Sequence, residues 1–526
     1  MAGGHVAVTP IRVVVGFALL KLVVQACVLR PYGFFRDELY YVACSEHLAW
    51  GYVDHPPLSV AILKGWRLAF GDSLTALRLG PALAGAAVVA LTGMTAIELG
   101  GGTLAVILAC LSVVAAPAFL IFHHLWSMNA FDQVFWIAAA LLAVRAVKRG
   151  TAGSLPWQRS ARPWVALGVV LGLGLLDKWS ILWFGAGLLV ALVATPARRV
   201  LRTPGPYAAG AIALLLFAPH VLWEVRHGWP TLEFMHNALG DKYVPLSAGE
   251  FAVQQALIVN PVTVPLSVAA FVHAARRRKA DDGALLVVLI FATTLAILLV
   301  SKGAKPEYIV AAYPMLFACG GVGVETAVAA WRRRSVALLT AAYAAPLVGL
   351  AAVMAPFVLP VLSEERFVRY QAALGQKPTT SERKELAELP QHYADMHGWP
   401  ELVDAVGAVF TGLPADDRAR ATLWSASGGY GSAAALDFFG RAYGLPPARC
   451  SHNNYWLWGP GDGDGSVVVI VGGARERFAP LFASLEQVAT FECRWCMPYE
   501  NHKPIYVGRG MRPTLRERWP DMRHYE

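Results

Sequence analysis

The sequence predicts a polytopic α-helical membrane protein of about eleven spans, followed by a small C-terminal extracytoplasmic α/β domain. Three observations predict it. Of 526 residues, 56% are apolar and only 15% charged, with a mean hydropathy of +0.47, where soluble domains carry about 25% charged residues. Apolar runs of membrane-crossing length recur along the chain up to residue 360 and then stop. Basic residues gather in alternate loops between those runs. This composition excludes a disordered chain, a coiled coil and an ordinary cytosolic enzyme. The net charge of +9 is distributed as in a membrane protein, and no nucleic-acid partner is expected. Seven cysteines are too few for a disulfide scaffold.

The spans are read at 11–29, 78–98, 102–121, 132–147, 164–176, 180–195, 207–223, 251–273, 284–300, 307–328 and 336–360. A crossing of about 30 Å of hydrocarbon needs roughly 20 helical residues, so the two runs flanking Asp177-Lys178 are the shortest fit. The first run has the apolar character of a signal peptide. No small-residue cleavage site follows it and further spans do, so it is expected to stay attached. Orientation comes from the cations. Lys148, Arg149, Arg159 and Arg162 share one loop, Arg198, Arg199 and Arg202 a second, Arg276 to Lys279 a third, and Arg332 to Arg334 a fourth. All four fall on one face, which the positive-inside rule makes cytoplasmic. Residues 30–77, 122–131, 224–250, 301–306 and the chain after 361 are then external. The chain divides into a transmembrane domain, 1–361, and an extracytoplasmic soluble domain, 362–526.

In the soluble domain Ala421–Ala426 and Ser466–Val471 read as buried strands, and Ala433–Tyr443 and Glu476–Leu485 as helices, giving a β-α-β-α order. An external compartment permits disulfides, so Cys493–Cys496 reads as a short bridge. Zinc is disfavoured because no second CxxC accompanies this one, and a thioredoxin-like site because it does not open a helix after a strand and Pro498 follows. Ser427-Gly428-Gly429-Tyr430-Gly431 lies between a strand and a helix, as a phosphate loop would. It lacks the P-loop lysine, and a structural turn is the better reading. Gly461 to Gly465 is too short for an EF-hand. No Walker A, Gly-x-Ser-x-Gly or His-Glu-x-x-His motif occurs.

The chemistry concentrates in the external loops. The first carries Arg36-Asp37-Glu38-Leu39-Tyr40-Tyr41 and then Trp50-Gly51-Tyr52-Val53-Asp54-His55-Pro56-Pro57-Leu58. Adjacent carboxylates beside a membrane helix are costly against lipid. The plainer reading is that Asp37 and Glu38 cap a surface helix and the prolines turn the chain back. The second external loop, His123 to Asp132, brings Asp132 to the same face. Cations reach it too: Lys178 in a tight turn, and Lys302 and Lys305 before Pro306-Glu307-Tyr308. Snorkelling explains any one of them. Together, acids and lysines at one interface suit chemistry on an anionic lipid, with lysines on a phosphate and a carboxylate taking a proton. No cofactor is required by this reading. Asp54, His55, His227 and His236 are retained as an alternative set of divalent-metal ligands, against the plainer reading of each histidine as structural; Arg226 is a further candidate cation.

These motifs resemble the glycosyltransferase family 39 type of GT-C membrane enzymes, which includes protein O-mannosyltransferases and lipid A aminoarabinose transferases. The resemblance rests on Arg-Asp-Glu-x-Tyr-Tyr at 36–41, Gly-Tyr-x-Asp-His-Pro-Pro-Leu at 51–58, Asp132, Gly-Leu-Gly-Leu-Leu-Asp-Lys at 172–178, and Lys305-Pro306-Glu307-Tyr308 with Tyr313-Pro314. It spans residues 10–330. It implies a GT-C-like fold and an inverting transfer of sugar from a polyprenyl-phosphate donor to a hydroxyl acceptor on protein, lipid or polysaccharide. It also implies roles: Asp37 as general base, Glu38 positioning the acceptor or Asp37, and Asp132 orienting donor or acceptor. Lys178, Lys305 and His55 would meet the donor phosphate, and Tyr40, Tyr41, Asp54, Glu307 and Tyr308 the substrates. The aminoarabinose transferases carry Lys where this chain has His55, so the phosphate contact from that position would depend on pH here.

The rival classes are an envelope-lipid acyl- or phosphotransferase and a membrane transporter or flippase. A transporter predicts ionisable residues at the midplane and repeat symmetry between halves. Lys21, within the first span, is the one charge that favours it. A third reading makes the external domain the functional part and the spans an anchor, for which so many spans are excessive. Abundant Ala, Gly and Arg suggest a bacterial inner membrane, with the C-terminal domain periplasmic.

Overall fold

The computed structural model describes residues 9–526 except 31, 152–156, 243–245, 281–282, 302–304, 381 and 428. Lys302 lies outside the described residues. The chain forms two compact units. The first comprises Met1–Leu29, Thr75–Leu222 and Pro245–Val361; the second comprises Arg30–Leu74, Trp223–Val244 and Leu362–Glu526.

In the first unit every predicted apolar run is helical. Among the described residues Leu74–Glu98, Met128–Arg149, Gly205–Arg226, Pro306–Ala327 and Arg333–Phe357 are long and apolar enough to cross a membrane. Counting each of two bent pairs as one span gives up to seven. Thr103–Ala115 and Ala284–Val300 are apolar but shorter. This is a polytopic membrane architecture.

Two runs read as continuous are broken, each at a proline. The run 251–273 is two helices, Ala248–Ile258 and Pro261–Arg276, bent by 95°. Proline disfavours helical backbone in the residue before it, and Asn260 takes φ 73° there, its side-chain oxygen accepting from the Val262 amide at 3.2 Å. The run 102–121 breaks in the same way at Ala116, extended before Pro117. Lys21 and Gln25 then satisfy carbonyls in the last turn of the short Pro117–Phe122 helix, which has no helical partners for them. Lys21 Nζ donates to the Phe119 carbonyl at 2.7 Å and Gln25 Nε2 to that of Leu120 at 2.9 Å. Lys21 is therefore a structural donor, not the midplane charge of a transport path. Close helix packing uses small residues: a methyl at Gly320 would strike the Leu266 carbonyl, and one at Gly321 that of Ala105.

The second unit holds a four-stranded sheet: β1 (Ala421–Ser425), β2 (Val467–Val471), β3 (Phe482–Phe491) and β4 (Lys503–Met511), in spatial order β1-β2-β4-β3. β1 and β2 are parallel, with Ala421 opposite Val467; β4 runs antiparallel to β2 and to β3. The run Val-Val-Val-Ile-Val of β2 is buried throughout, as a central strand requires. Its core joins Trp424, Val468, Ile470, Phe478, Phe482 and Tyr506. The first two strands and the Gly429–Phe439 helix match the expectation closely. The predicted helix over Glu476–Leu485 does not form: Arg475–Phe478 is one turn, Ala479–Leu481 is a 3₁₀ turn opened by Pro480, and β3 begins at Phe482. The order is therefore β-α-β followed by an antiparallel β3–β4 hairpin. Cys493 and Cys496 are free thiols, not a bridge.

Candidate active-site residues

In the second unit, Arg36–Glu46 is a helix with Asp37 and Glu38 in its first turn, where carboxylates complement the positive end of the helix dipole. The two acids differ. Glu38 is fully buried and accepts the Phe35 amide at 2.9 Å, so it caps the helix as the plainer reading holds. Asp37 keeps 35% of its side chain exposed. The Tyr430 hydroxyl donates to it at 2.9 Å and Arg36 Nε at 3.3 Å. Arg36 also lies 3.5 Å from Asp395, so one guanidinium serves two carboxylates. Burial holds the Tyr430 phenol well above its ordinary value, which keeps it a neutral donor.

Asp54 accepts the Tyr40 hydroxyl at 3.0 Å. Asn454 fixes this pair, donating from Nδ2 to the Tyr40 oxygen at 2.5 Å and accepting from the Val53 amide at 2.9 Å. Burial raises the Asp54 carboxyl above the usual range; His55 and the Tyr40 bond oppose that rise, and Asp37 adds to it. Tyr41 stacks on His55 at 4.5 Å between centroids, and His55 Nδ1 donates to the Pro56 carbonyl at 3.1 Å. His55 Nε2 is buried without a hydrogen-bond partner among the described residues, 3.9 Å from Asp54. His227 is occupied by the Trp223 carbonyl at 2.8 Å, and His236 lies in the last turn of Pro230–Asn237. Among the described residues no group of three or more His, Cys, Asp or Glu side chains is placed to hold a metal ion. Asp54, His55, His227 and His236 accordingly do not assemble into one cluster.

In the first unit Asp132 opens the Met128–Thr151 helix and is nearly fully buried. Ser180 Oγ donates to it at 2.6 Å, Lys178 Nζ lies 3.6 Å away, and Trp136 Nε1 holds Ser180 at 3.1 Å. Lys178 also donates to Asn129 Oδ1 at 2.7 Å and sits 5.7 Å from the Tyr308 ring centroid. Tyr308 and Glu307 belong to the 3₁₀ turn Pro306–Ala312, for which Lys305 is the residue before the first turn. Asp177 is buried with neither carboxylate oxygen hydrogen-bonded among the described residues. The structure thus joins Asp132, Lys178 and Tyr308 in one unit, and Asp37, Tyr40, Tyr41, Asp54 and His55 in the other. Sequence reasoning missed Tyr430, Asn454, Asp395, Ser180 and Asn129. Of these, Tyr430 and Asn129 stood in motifs that had drawn notice, for other residues.

Residues 54–223 match the family model described as dolichyl-phosphate-mannose-protein mannosyltransferase. A lipid A galacturonosyltransferase of Rhizobium johnstonii is 26% identical over 259 residues, 48% of this chain and 51% of that protein. The match therefore spans about half the length of that curated relative. Among solved structures, ArnT from Cupriavidus metallidurans bound to undecaprenyl phosphate superposes with a TM-score of 0.60 at 16% identity, covering 94% of this chain and 97% of that one. Its apo state gives 0.59 at the same identity and coverage. At this identity the likeness shows the fold, and it extends through both compact units.

Proposed function

We propose that this chain, a member of the GT-C superfamily of membrane glycosyltransferases, moves a sugar from a polyprenyl-phosphate donor to a hydroxyl acceptor. The reaction takes place on the outer face of a bacterial inner membrane, with residues 1–361 as the transmembrane catalytic part and 362–526 as an extracytoplasmic domain. The observation that carries the reading is the contrast among Asp37, Glu38 and Asp54, the acids of the two motifs in segment 30–77. Glu38 is consumed as a cap and Asp54 is held in a buried Tyr40–Asn454 pair, while Asp37 is oriented yet open. A general base must be reachable by the proton it takes.

Asp37 then removes the acceptor proton as the acceptor oxygen attacks the anomeric carbon, and the lipid phosphate leaves with inversion. Lys178 and Lys305 match charge on the leaving phosphate, a preorganised electrostatic effect worth several kcal/mol in such sites. Asp132, bonded to Ser180 and paired with Lys178, fixes the direction of that ammonium. As the imidazolium, His55 donates through Nε2–H to phosphate. Tyr40, Tyr41, Glu307 and Tyr308 line the substrates.

The test is transfer from radiolabelled polyprenyl-phosphate sugars by the purified chain in lipid, comparing wild type with Asp37→Asn. Asn keeps shape and hydrogen bonding but takes no proton. One donor consumed by wild type and not by the variant, with donor binding retained, establishes the reading. Equal turnover removes Asp37 as base. No turnover with any donor, given mixed envelope acceptors, overturns the transferase reading and makes transport the next assay.

A further inference from the structure

The glycine-rich stretch between β1 and the Gly429–Phe439 helix opens onto a cavity of about 690 Å³ within the second unit. The cavity sits beyond the carboxyl ends of the parallel strands β1 and β2, where open α/β sheets take their ligands. Four independent features of its wall suit an anion. The first-turn amides of the eleven-residue Gly429–Phe439 helix have no intrahelical acceptors and carry the positive end of its dipole. Ser425 lies at the end of β1, 2% exposed, with a hydroxyl that has no hydrogen-bond partner among the described residues. Arg477 and Arg518 both line the cavity, and neither has a carboxylate within ion-pair distance among the described residues; Arg518 Nε is buried and unbonded. Side chains are excluded where backbone must approach: Gly429 has φ +63°, and a Cβ there would collide with the His452 ring.

Of the four acids on the same wall three are engaged, and the fourth, Asp521, is solvent-exposed. Glu517 accepts from the Thr514 amide and hydroxyl, Glu382 from Gln391, and Glu526 faces His524 at 3.1 Å. The volume is far more than one phosphate fills and matches a small organic ligand. Tyr430, in the first turn of this helix, is the residue whose hydroxyl holds Asp37.

We propose that this cavity is the acceptor subsite, taking a phosphate-bearing saccharide with its phosphate on Arg477, Arg518, Ser425 and the helix amides. The proposal rests on the reading of Asp37 as the base, because Tyr430 makes the cavity and that carboxylate neighbours. Binding itself needs no transfer, so the two are tested apart.

The experiment is equilibrium binding of radiolabelled glucose 1-phosphate to the full chain in lipid nanodiscs, with inorganic phosphate and glucose as competitors. Wild type is expected to bind the sugar phosphate in preference to inorganic phosphate, with glucose competing weakly. Losing charge-assisted bonds in Arg477→Gln/Arg518→Gln is expected to cost about tenfold or more, and Ser425→Ala about threefold, with melting temperature and polyprenyl-phosphate binding unchanged. Arg477→Lys/Arg518→Lys keeps the charge and should recover part of the affinity, so an equal loss in both pairs would expose a folding defect and overturn the proposal. Undiminished binding in the Gln pair, or no binding by wild type, would also overturn it. Inorganic phosphate competing as well as the sugar phosphate would overturn the saccharide assignment. If wild type binds the probe and transfers no sugar from any donor, the transferase reading and the acceptor role fail together, and the sugar-phosphate site alone stands.

Discussion

The two units hold their carboxylates with like partners, a hydroxyl and a cation, but at different exposure: Asp132 is 2% exposed, while Asp37 keeps 35% of its side chain open. In the first, Asp132 meets a lysine and a serine from a turn that follows a neighbouring helix, and the lysine also donates to Asn129. Buried there, Asp132 is poorly placed to take a proton, and in the proposed mechanism it aims the ammonium. In the second, Asp37 and Asp54 each accept from a tyrosine hydroxyl, and the one nearby guanidinium is divided between Asp37 and Asp395. Oriented by its donors and still open, Asp37 stays reachable, as a base must be. In the proposed mechanism this contrast suits proton transfer by Asp37 and phosphate handling by Lys178.

The strongest way to break this contrast is to exchange the roles. Asp37→Asn is expected to lower kcat by about 10²- to 10⁴-fold, the range for removing a general base, with donor affinity kept. Lys178→Gln is expected to cost about 10²-fold in kcat/KM, and a donor whose leaving group is less basic should suffer less. If instead Asp37→Asn weakened donor binding and Lys178→Gln left it alone, the assignment of the two units would be inverted. Tyr430→Phe sharpens the point: losing one hydrogen bond to a charged group is expected to cost about tenfold in kcat, with KM for the donor unchanged.

Smaller effects probe the charge distribution around Arg36. Burial raises the Asp395 carboxyl from 3.8 to about 7, against the lowering influence of Arg36. A carboxyl raised on folding contributes stability that is present in full below its unfolded value and is lost as pH rises through about 7. The midpoint of thermal unfolding of the second unit should therefore fall between pH 5 and pH 8, and Asp395→Asn should flatten that dependence. A midpoint rising over the interval would contradict the burial of this acid. Least consequential for turnover is Cys493, whose thiol is lowered to about 7 by hydrogen bonding from Cys496. Iodoacetamide labelling of the Cys493 peptide should be half-maximal near that pH, and total labelling should drop by that component in Cys493→Ser, with transfer unaffected.

Much of this was legible in the sequence where the signal was local. Apolar length identified the helices, and Val-rich runs identified β1 and β2. β3 was hidden because it is an edge strand: Ala483, Leu485, Glu486 and Gln487 are helix formers, and most of its residues are exposed, so no buried face imposed an alternation. The breaks at Asn260 and Ala116 did carry a signal, a following proline, which hydropathy averaging overrode. Asp37, Asp132 and Lys178 were legible because charge is rare in such a chain. Their partners were not. Nothing in Asn454 or Asp395 marks a residue that reaches the first external loop, since such pairings depend on where distant segments meet. Tyr430 was noticed only for the glycines around it.

The hydrogen bond between Asp37 and Tyr430 joins residues 393 positions apart. At a ribosomal pace of roughly 5–20 residues per second, the first external loop waits on the order of 20–80 s for the tyrosine that completes it. During that time the growing chain inserts its helices with an unfinished acidic loop. On the proposed reading, the nascent chain stays inert until residues 362–526 have folded, and quality control of that segment becomes, in effect, control over when activity begins.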